Sequence, residues 1–205
     1  MRRATRIVGS RRIVLTLTAA LLATPLLAWA DRGAGPPATR LTATAPRFAL
    51  SSADFAPGGT IAPGRVYDGS GCHGGNASPA LSWHHPPAGT RSFAVLMFDP
   101  DARGGWWHWA VFDIPASVTS LPAVAGDPAR HLLPAGAVQA RNDWGSPGYG
   151  GPCPPPGPPH HYRLALYALK VTTLGLGAGA SAAQVAARVR VYALAQAEIV
   201  GLYRR

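Results

Sequence analysis

Three short clusters hold the side chains best suited to chemistry. Asp99-Pro100-Asp101 sets two carboxylates two positions apart. Pro100 fixes its own φ and pushes Asp99 toward extended backbone, so period-two alternation places both carboxylates on one side of the chain. Trp106-Trp107-His108-Trp109 surrounds an imidazole with indoles. Alternation pairs Trp106 with His108 on one face and Trp107 with Trp109 on the other. In Pro159-His160-His161-Tyr162, His160 and Tyr162 face one way and His161 the other. Carboxylates orient histidines, imidazoles and phenols donate to anionic oxygens, and indoles exclude water. This is equipment for holding a small anion. Each cluster taken singly also has a plainer reading, as a polar turn or a packed structural histidine.

Gly148-Tyr149-Gly150-Gly151-Pro152-Cys153-Pro154-Pro155-Pro156-Gly157 is the most unusual segment. Its glycines allow close main-chain approach and can turn N–H groups toward an anion, while the prolines stiffen the rest. Two histidines and two carboxylates also permit an enzyme, by acid–base or metal chemistry at His108, His160, Asp99 and Asp101. The chain has no G-x-S-x-G, no H-E-x-x-H and no paired C-x-x-C, which argues against a serine hydrolase elbow and against zinc motifs. The reading is therefore a non-catalytic binding protein with no cofactor and no metal.

These residues need rigid carriers. Arg91–Phe98 and Trp106–Ile114 are near-continuous apolar runs, and Tyr162–Val171 sets Leu164, Leu166 and Ala168 on one face; all three read as strands. Gly 24 and Pro 21 favour turns between short strands. Without intervening helical patterns, such strands form antiparallel sheets. Ser181 is placed to cap a helix running through Ala182–Ile199, with Gly201 to stop it. The fold class is mainly β with a C-terminal α-helix, and 205 residues suffice for one domain.

The formal charge of +10 would suit a nucleic-acid partner, but its distribution does not. Arg2, Arg3, Arg6, Arg11 and Arg12 lie in an N-terminal segment without acids. Beyond residue 30, 14 basic side chains face 9 acidic ones, +5, with no stripe to track phosphates. Residues 1–30 have a basic start, an apolar stretch Ile13–Leu27 and the small-x-small site Ala28-Trp29-Ala30. That is a signal peptide, cleaved near Ala30, and the apolar stretch is too short to span a membrane. Ser10-Arg11-Arg12 also fits a twin-arginine signal. Residues 31–45 read as a flexible linker and 46–205 as the domain. Export to the periplasm or beyond suits one disulfide between Cys72 and Cys153, the only two cysteines.

Taken in order, four blocks resemble the phosphatidylethanolamine-binding protein family, in its bacterial Raf-kinase-inhibitor-like branch. They are Cys72–Trp83 (CHGGNASPALSW), Asp99–Ala102 (DPDA), Trp106–Trp109 (WWHW) and Tyr149–Tyr162 (YGGPCPPPGPPHHY). The resemblance covers roughly Arg47–Arg205. It implies a β-sandwich of two packed antiparallel sheets and a pocket for phosphate-like anions, such as a phospholipid headgroup or a phosphorylated side chain. By position, the ligand-binding residues are Asp99, Asp101, Trp106, His108, Gly151, Pro152, His160 and Tyr162. It also admits a partner protein, including inhibition of a protease or other enzyme. The chain departs from the pattern at His73, at Arg103 in place of proline, at His161 in place of arginine and in the proline-rich Pro156–Pro159.

Overall fold

The computed structural model describes residues 46–205. The expected signal peptide, cleavage site and linker lie outside the described residues. In chain order the strands are β1 (Ala49–Ser52), β2 (Asp68–Gly69), β3 (Cys72–His73), β4 (Leu81–His84), β5 (Ser92–Asp99), β6 (Trp106–Pro115), β7 (Ser120–Leu121), β8 (Val138–Gln139) and β9 (His160–Leu169). The helix α1 (Ala182–Tyr192) and the strand β10 (Ala193–Tyr203) follow.

Every strand pairing is antiparallel. Five strands form the main sheet, in the order β10-β9-β5-β6-β8; β1-β4-β7 form a second sheet and β2-β3 a short hairpin. One core cluster joins the two larger sheets. Leu50, Leu81, Trp83 and Leu121 from the smaller sheet meet Phe93, Val95, Met97, Trp109, Leu164 and Leu166 from the larger. Trp83 lies edge-on to Phe93, with centroids 5.4 Å apart. A second cluster covers the opposite face of the main sheet, where Ala94, Leu96, Ala110 and Phe112 pack against Ala182, Val185, Ala186 and Val189 of α1. Burial on both faces explains why β5 reads as a continuous apolar run instead of an alternating one.

The helix begins as its sequence predicts. Ser181 Oγ accepts from the Gln184 N–H, and Gln184 Oε1 accepts from the Ser181 N–H, a reciprocal capping box. It ends seven residues before the predicted Ile199. Ala193 is extended (φ −65°, ψ 131°) and the chain turns into β10. Buried positions change there from helical spacing, at Ala182, Val185, Ala186 and Val189, to strict alternation at Ala197, Ile199 and Gly201. Alanine-rich sequence favours helix locally, but β9 offers ten residues of partner backbone, and pairing with it wins. Gly201 is consequently no helix stop. A Cβ there would lie 2.6 Å from Ile61 Cγ1 and 3.0 Å from Phe55, so the residue is glycine because two segments approach closely.

Cys72 and Cys153 are bonded, across 81 positions, with Cα atoms 6.0 Å apart. The bond ties the Gly-Pro segment to the β2–β3 hairpin.

Gly201→Ala should lower unfolding stability by about 1–3 kcal/mol, the usual cost of overpacking, read as a shift of the urea midpoint. Replacing both cysteines by serine should remove about 4 kcal/mol in the chain-entropy account of a loop this long. The same urea titration, run against the unsubstituted chain, checks it.

Candidate functional site

The ends of β5, β6 and β9 converge at one edge of the main sheet, because Asp99 pairs with Trp106 and Phe98 with Arg163. There they open a cavity of about 510 Å³, lined by Asp99, Asp101, Trp106, His108, His160 and Tyr162 among others. Six of the eight predicted ligand-binding residues therefore share one hollow.

Asp99 is buried and fully engaged. Its Oδ2 lies 2.8 Å from His160 Nδ1, and its Oδ1 accepts from the Asp101 N–H at 2.9 Å and the Ala102 N–H at 3.2 Å. Asp101 sits at the rim. Its Oδ2 accepts from the His161 N–H at 2.7 Å and pairs with His161 Nδ1 at 2.8 Å. Those bonds, the main-chain one foremost, hold the Asp101 carboxyl below the ordinary aspartate range. The two carboxylates thus fix the two histidines of β9, and His161 points away from the cavity it helps to frame.

His108 owes its place to a bulge. Met97 faces Trp109 but Phe98 faces Trp107, so β6 carries an extra residue at His108. This breaks the alternation expected of the tryptophans. Trp109 joins the core between the sheets, whereas Trp107 packs with the opposite, helix-covered cluster. His108 is 2% exposed. Its Nδ1 lies 2.6 Å from the Gly150 carbonyl oxygen, so Nδ1 carries the proton and donates it, leaving Nε2 for the cavity. Burial pushes the His108 pKa down from 6.5, and the ring is neutral. In that state Nε2 accepts; it becomes a donor only on protonation.

Gly151 and Pro152 do not line the cavity. The Gly151 N–H donates to Asn76 Oδ1 at 2.8 Å, and the Pro152 carbonyl accepts from the Tyr67 N–H at 3.0 Å. They brace the wall from behind. Gly151 is glycine because a side chain would strike the main chain of Arg65–Tyr67.

Trp144 also lines the cavity, and no sequence pattern marked it. The loop that carries it is pinned to the bulge: Asp143 Oδ2 accepts from the Trp107 N–H at 2.8 Å, and the Asp143 N–H donates to the Trp107 carbonyl at 2.9 Å. Its indole stacks on Tyr67, with centroids 4.0 Å apart and planes 7° off parallel, and meets Trp106 edge-on at 5.1 Å. Arg103, Cys153, Pro154 and Pro155 complete the rim.

Among the described residues the indole nitrogens of Trp106 and Trp144 are enclosed in the wall without a hydrogen bond, as is that of Trp83 in the core, and the Tyr162 hydroxyl faces the Asp99 carboxylate. Burial first, and then the Asp99 charge, raises the Tyr162 pKa, so the phenol keeps its proton and can only serve an anion as a donor.

Comparison with known proteins places these features in context. Residues 51–204 match the family model described as phosphatidylethanolamine-binding protein. The UPF0098 protein YbcL of Escherichia coli K12 is 45% identical over 165 residues, covering 79% of this chain and 90% of YbcL. The YbcL crystal structure, described as a new member of the mammalian PEBP family, matches with a TM-score of 0.76 over 77% of this chain and 98% of that one. CT736 of Chlamydia trachomatis, described as a putative homolog of the same family, is 29% identical with a TM-score of 0.65, covering 77% of this chain and 97% of its own. A putative lipoprotein of Mycobacterium tuberculosis, LppC, is 39% identical over 143 residues, 66% of this chain and 65% of LppC.

The buried His108 makes stability depend on pH. Its folded pKa lies below the unfolded 6.5, so the unfolded chain binds more protons in acid. Its contribution is fully present above pH 6.5 and declines as pH falls below it. His108→Gln should flatten that part of the stability–pH curve, measured by urea unfolding between pH 7.5 and 5.

Proposed function

Because the chain belongs to the phosphatidylethanolamine-binding protein family, we propose that it is a non-catalytic binding protein whose cavity takes a phosphate-like anion. A phospholipid headgroup and a phosphorylated side chain present the same group. The observation that carries this reading is the meeting of Trp106, His108, His160 and Tyr162 around one hollow whose two carboxylates are already engaged by histidines and main-chain N–H groups. Phosphate oxygens accept from indole N–H and phenol O–H without any proton leaving the protein.

His108 adds a proton-linked contact. Its Nε2 accepts from a protonated phosphate oxygen, or takes up a proton and donates; with a phosphomonoester dianion, which carries no proton on its phosphoryl oxygens, either route adds one proton to the complex. Asp99 and Asp101 stay off the anion because His160, His161 and main-chain N–H groups already occupy them. Arg103 at the rim supplies a positive charge at the entrance.

An enzymatic reading draws on one feature, the buried Asp99–His160 pair, which has the geometry of a base and its orienting carboxylate. Among the described residues the cavity lining holds no Ser, Thr or Lys, and Cys153 is in its disulfide. Turnover of phosphomonoesters or esters by the purified chain would favour this reading over simple binding.

For location, we read the N-terminal segment as an export signal; the likeness to a putative lipoprotein supports it. No helix among the described residues is long and apolar enough to cross a membrane.

Two expected outcomes test the cavity. Tyr162→Phe should leave the free protein folded, yet weaken anion binding about tenfold by losing one hydrogen bond to a charged group. Calorimetric titration with inorganic phosphate and with O-phosphoethanolamine, alongside thermal melts, reads both; undiminished affinity in the variant would count against the site. Affinity for O-phosphoethanolamine should also fall as pH rises through neutrality, and His108→Gln should remove that slope.

A further inference from the structure

We propose that the open half of β10, with the hollow beside it, is a docking site for an extended peptide of a partner protein carrying aliphatic side chains and a carboxylate. The site lies on the helix-covered face of the main sheet and is separate from the anion cavity: the two linings share no residue.

Backbone geometry comes first. β10 is an edge strand, paired with β9 on one side only. The outer side of its C-terminal half is already covered by the chain itself. The Gly58 N–H donates to the Val200 carbonyl at 2.7 Å, the Ile61 N–H to the Leu202 carbonyl at 2.8 Å, and the Leu202 N–H to the Gly59 carbonyl at 2.8 Å. Residues 200 and 202 thus turn their main-chain groups outward, and alternation turns those of Gln196 and Glu198 the same way. Among the described residues nothing covers that second pair. A half-covered edge is a ready template for an added strand, and Gly58–Ile61 shows that this edge accepts one.

The neighbouring surface fits a peptide side chain. Next to this open half lies a hollow of about 580 Å³, with Leu96, Phe98, Trp107 and Ala165 among its lining residues. Leu194 also lines it, 42% exposed, one of the three exposed large hydrophobics among the described residues. Aliphatic exposure beside an open edge marks an interaction surface.

Charge selects the carboxylate. Glu198 is held by both Arg163 nitrogens, at 3.1 and 3.0 Å, and by Gln196 Nε2 at 3.2 Å. Arg190, which lines the same hollow, forms no ion pair among the described residues. A second copy of the chain would bring its own β10 to the edge, where Glu198 is already engaged, and so would leave Arg190 unanswered. An acidic peptide answers it.

The test pans a random heptapeptide phage library against the immobilised full chain, then titrates the enriched sequences as synthetic peptides. Alternating aliphatic residues with an Asp or Glu should be enriched. Gln196→Pro removes an outward N–H that no neighbour uses and one exposed side-chain bond to Glu198, which both Arg163 contacts still hold; edge strands tolerate proline, so it should melt like the parent yet bind at least tenfold more weakly. Arg190→Glu should weaken binding as much. Should Gln196→Pro unfold, Leu194→Glu, altering an exposed side chain, serves in its place. Three results would overturn the proposal: no enrichment above a blank surface, peptides that bind parent and variants equally, or sedimentation showing a dimer that Gln196→Pro abolishes.

Discussion

His108 and Gly150 hold each other by two bonds: the Gly150 N–H donates to the His108 carbonyl at 2.9 Å, and the His108 ring donates back to the Gly150 carbonyl at 2.6 Å. Much of the cavity depends on this reciprocal tie. It fixes which ring nitrogen faces inward, and it seats the Gly-Pro segment along the end of β6. It also demands glycine at 150, where a side chain would collide with the Trp144 indole. The bulge in β6 supplies the geometry, since without an extra residue His108 would not turn toward Tyr162, whose ring it meets edge-on at 5.1 Å.

Around that tie the fold divides its labour. The core between the sheets and the layer under α1 make β5, β6 and β9 a rigid slab, buried on both sides. The reactive groups stand where the slab ends, so their positions are set by strand register instead of loop mobility. Carboxylates on β5 and just beyond it orient histidines on β9, and the disulfide anchors the remaining wall. The result is a hollow whose two carboxylates are both engaged by neighbouring histidines and main-chain N–H groups.

What could be read from the chain follows a physical division. Period-two patterning and apolar runs placed β5, β6 and β9 within two residues at each end, and Asp99, Asp101, His108, His160 and Tyr162 do meet, because strand ends carry them. Errors arose where long-range contacts overrule local preference. Alanine propensity carried the helix past Tyr192, but the backbone of β9 claimed the next residues. Simple alternation put Trp107 beside Trp109, but one inserted residue separated them. Trp144 sits in an aperiodic loop pinned by Asp143, and no pattern in the sequence reports such a pin. Gly151 looked like an anion nest and is instead a point of close approach, a distinction only the neighbouring chain makes.

The Cys72–Cys153 bond has a consequence of another kind. It encloses β4 to β8 and the exposed stretch around Arg130–Leu132 within one covalent ring. A protease cutting there opens the ring but frees no fragment: both pieces stay on a single thread and keep their strand pairings. Wherever the bond stays oxidised, a chain nicked there remains one covalent piece.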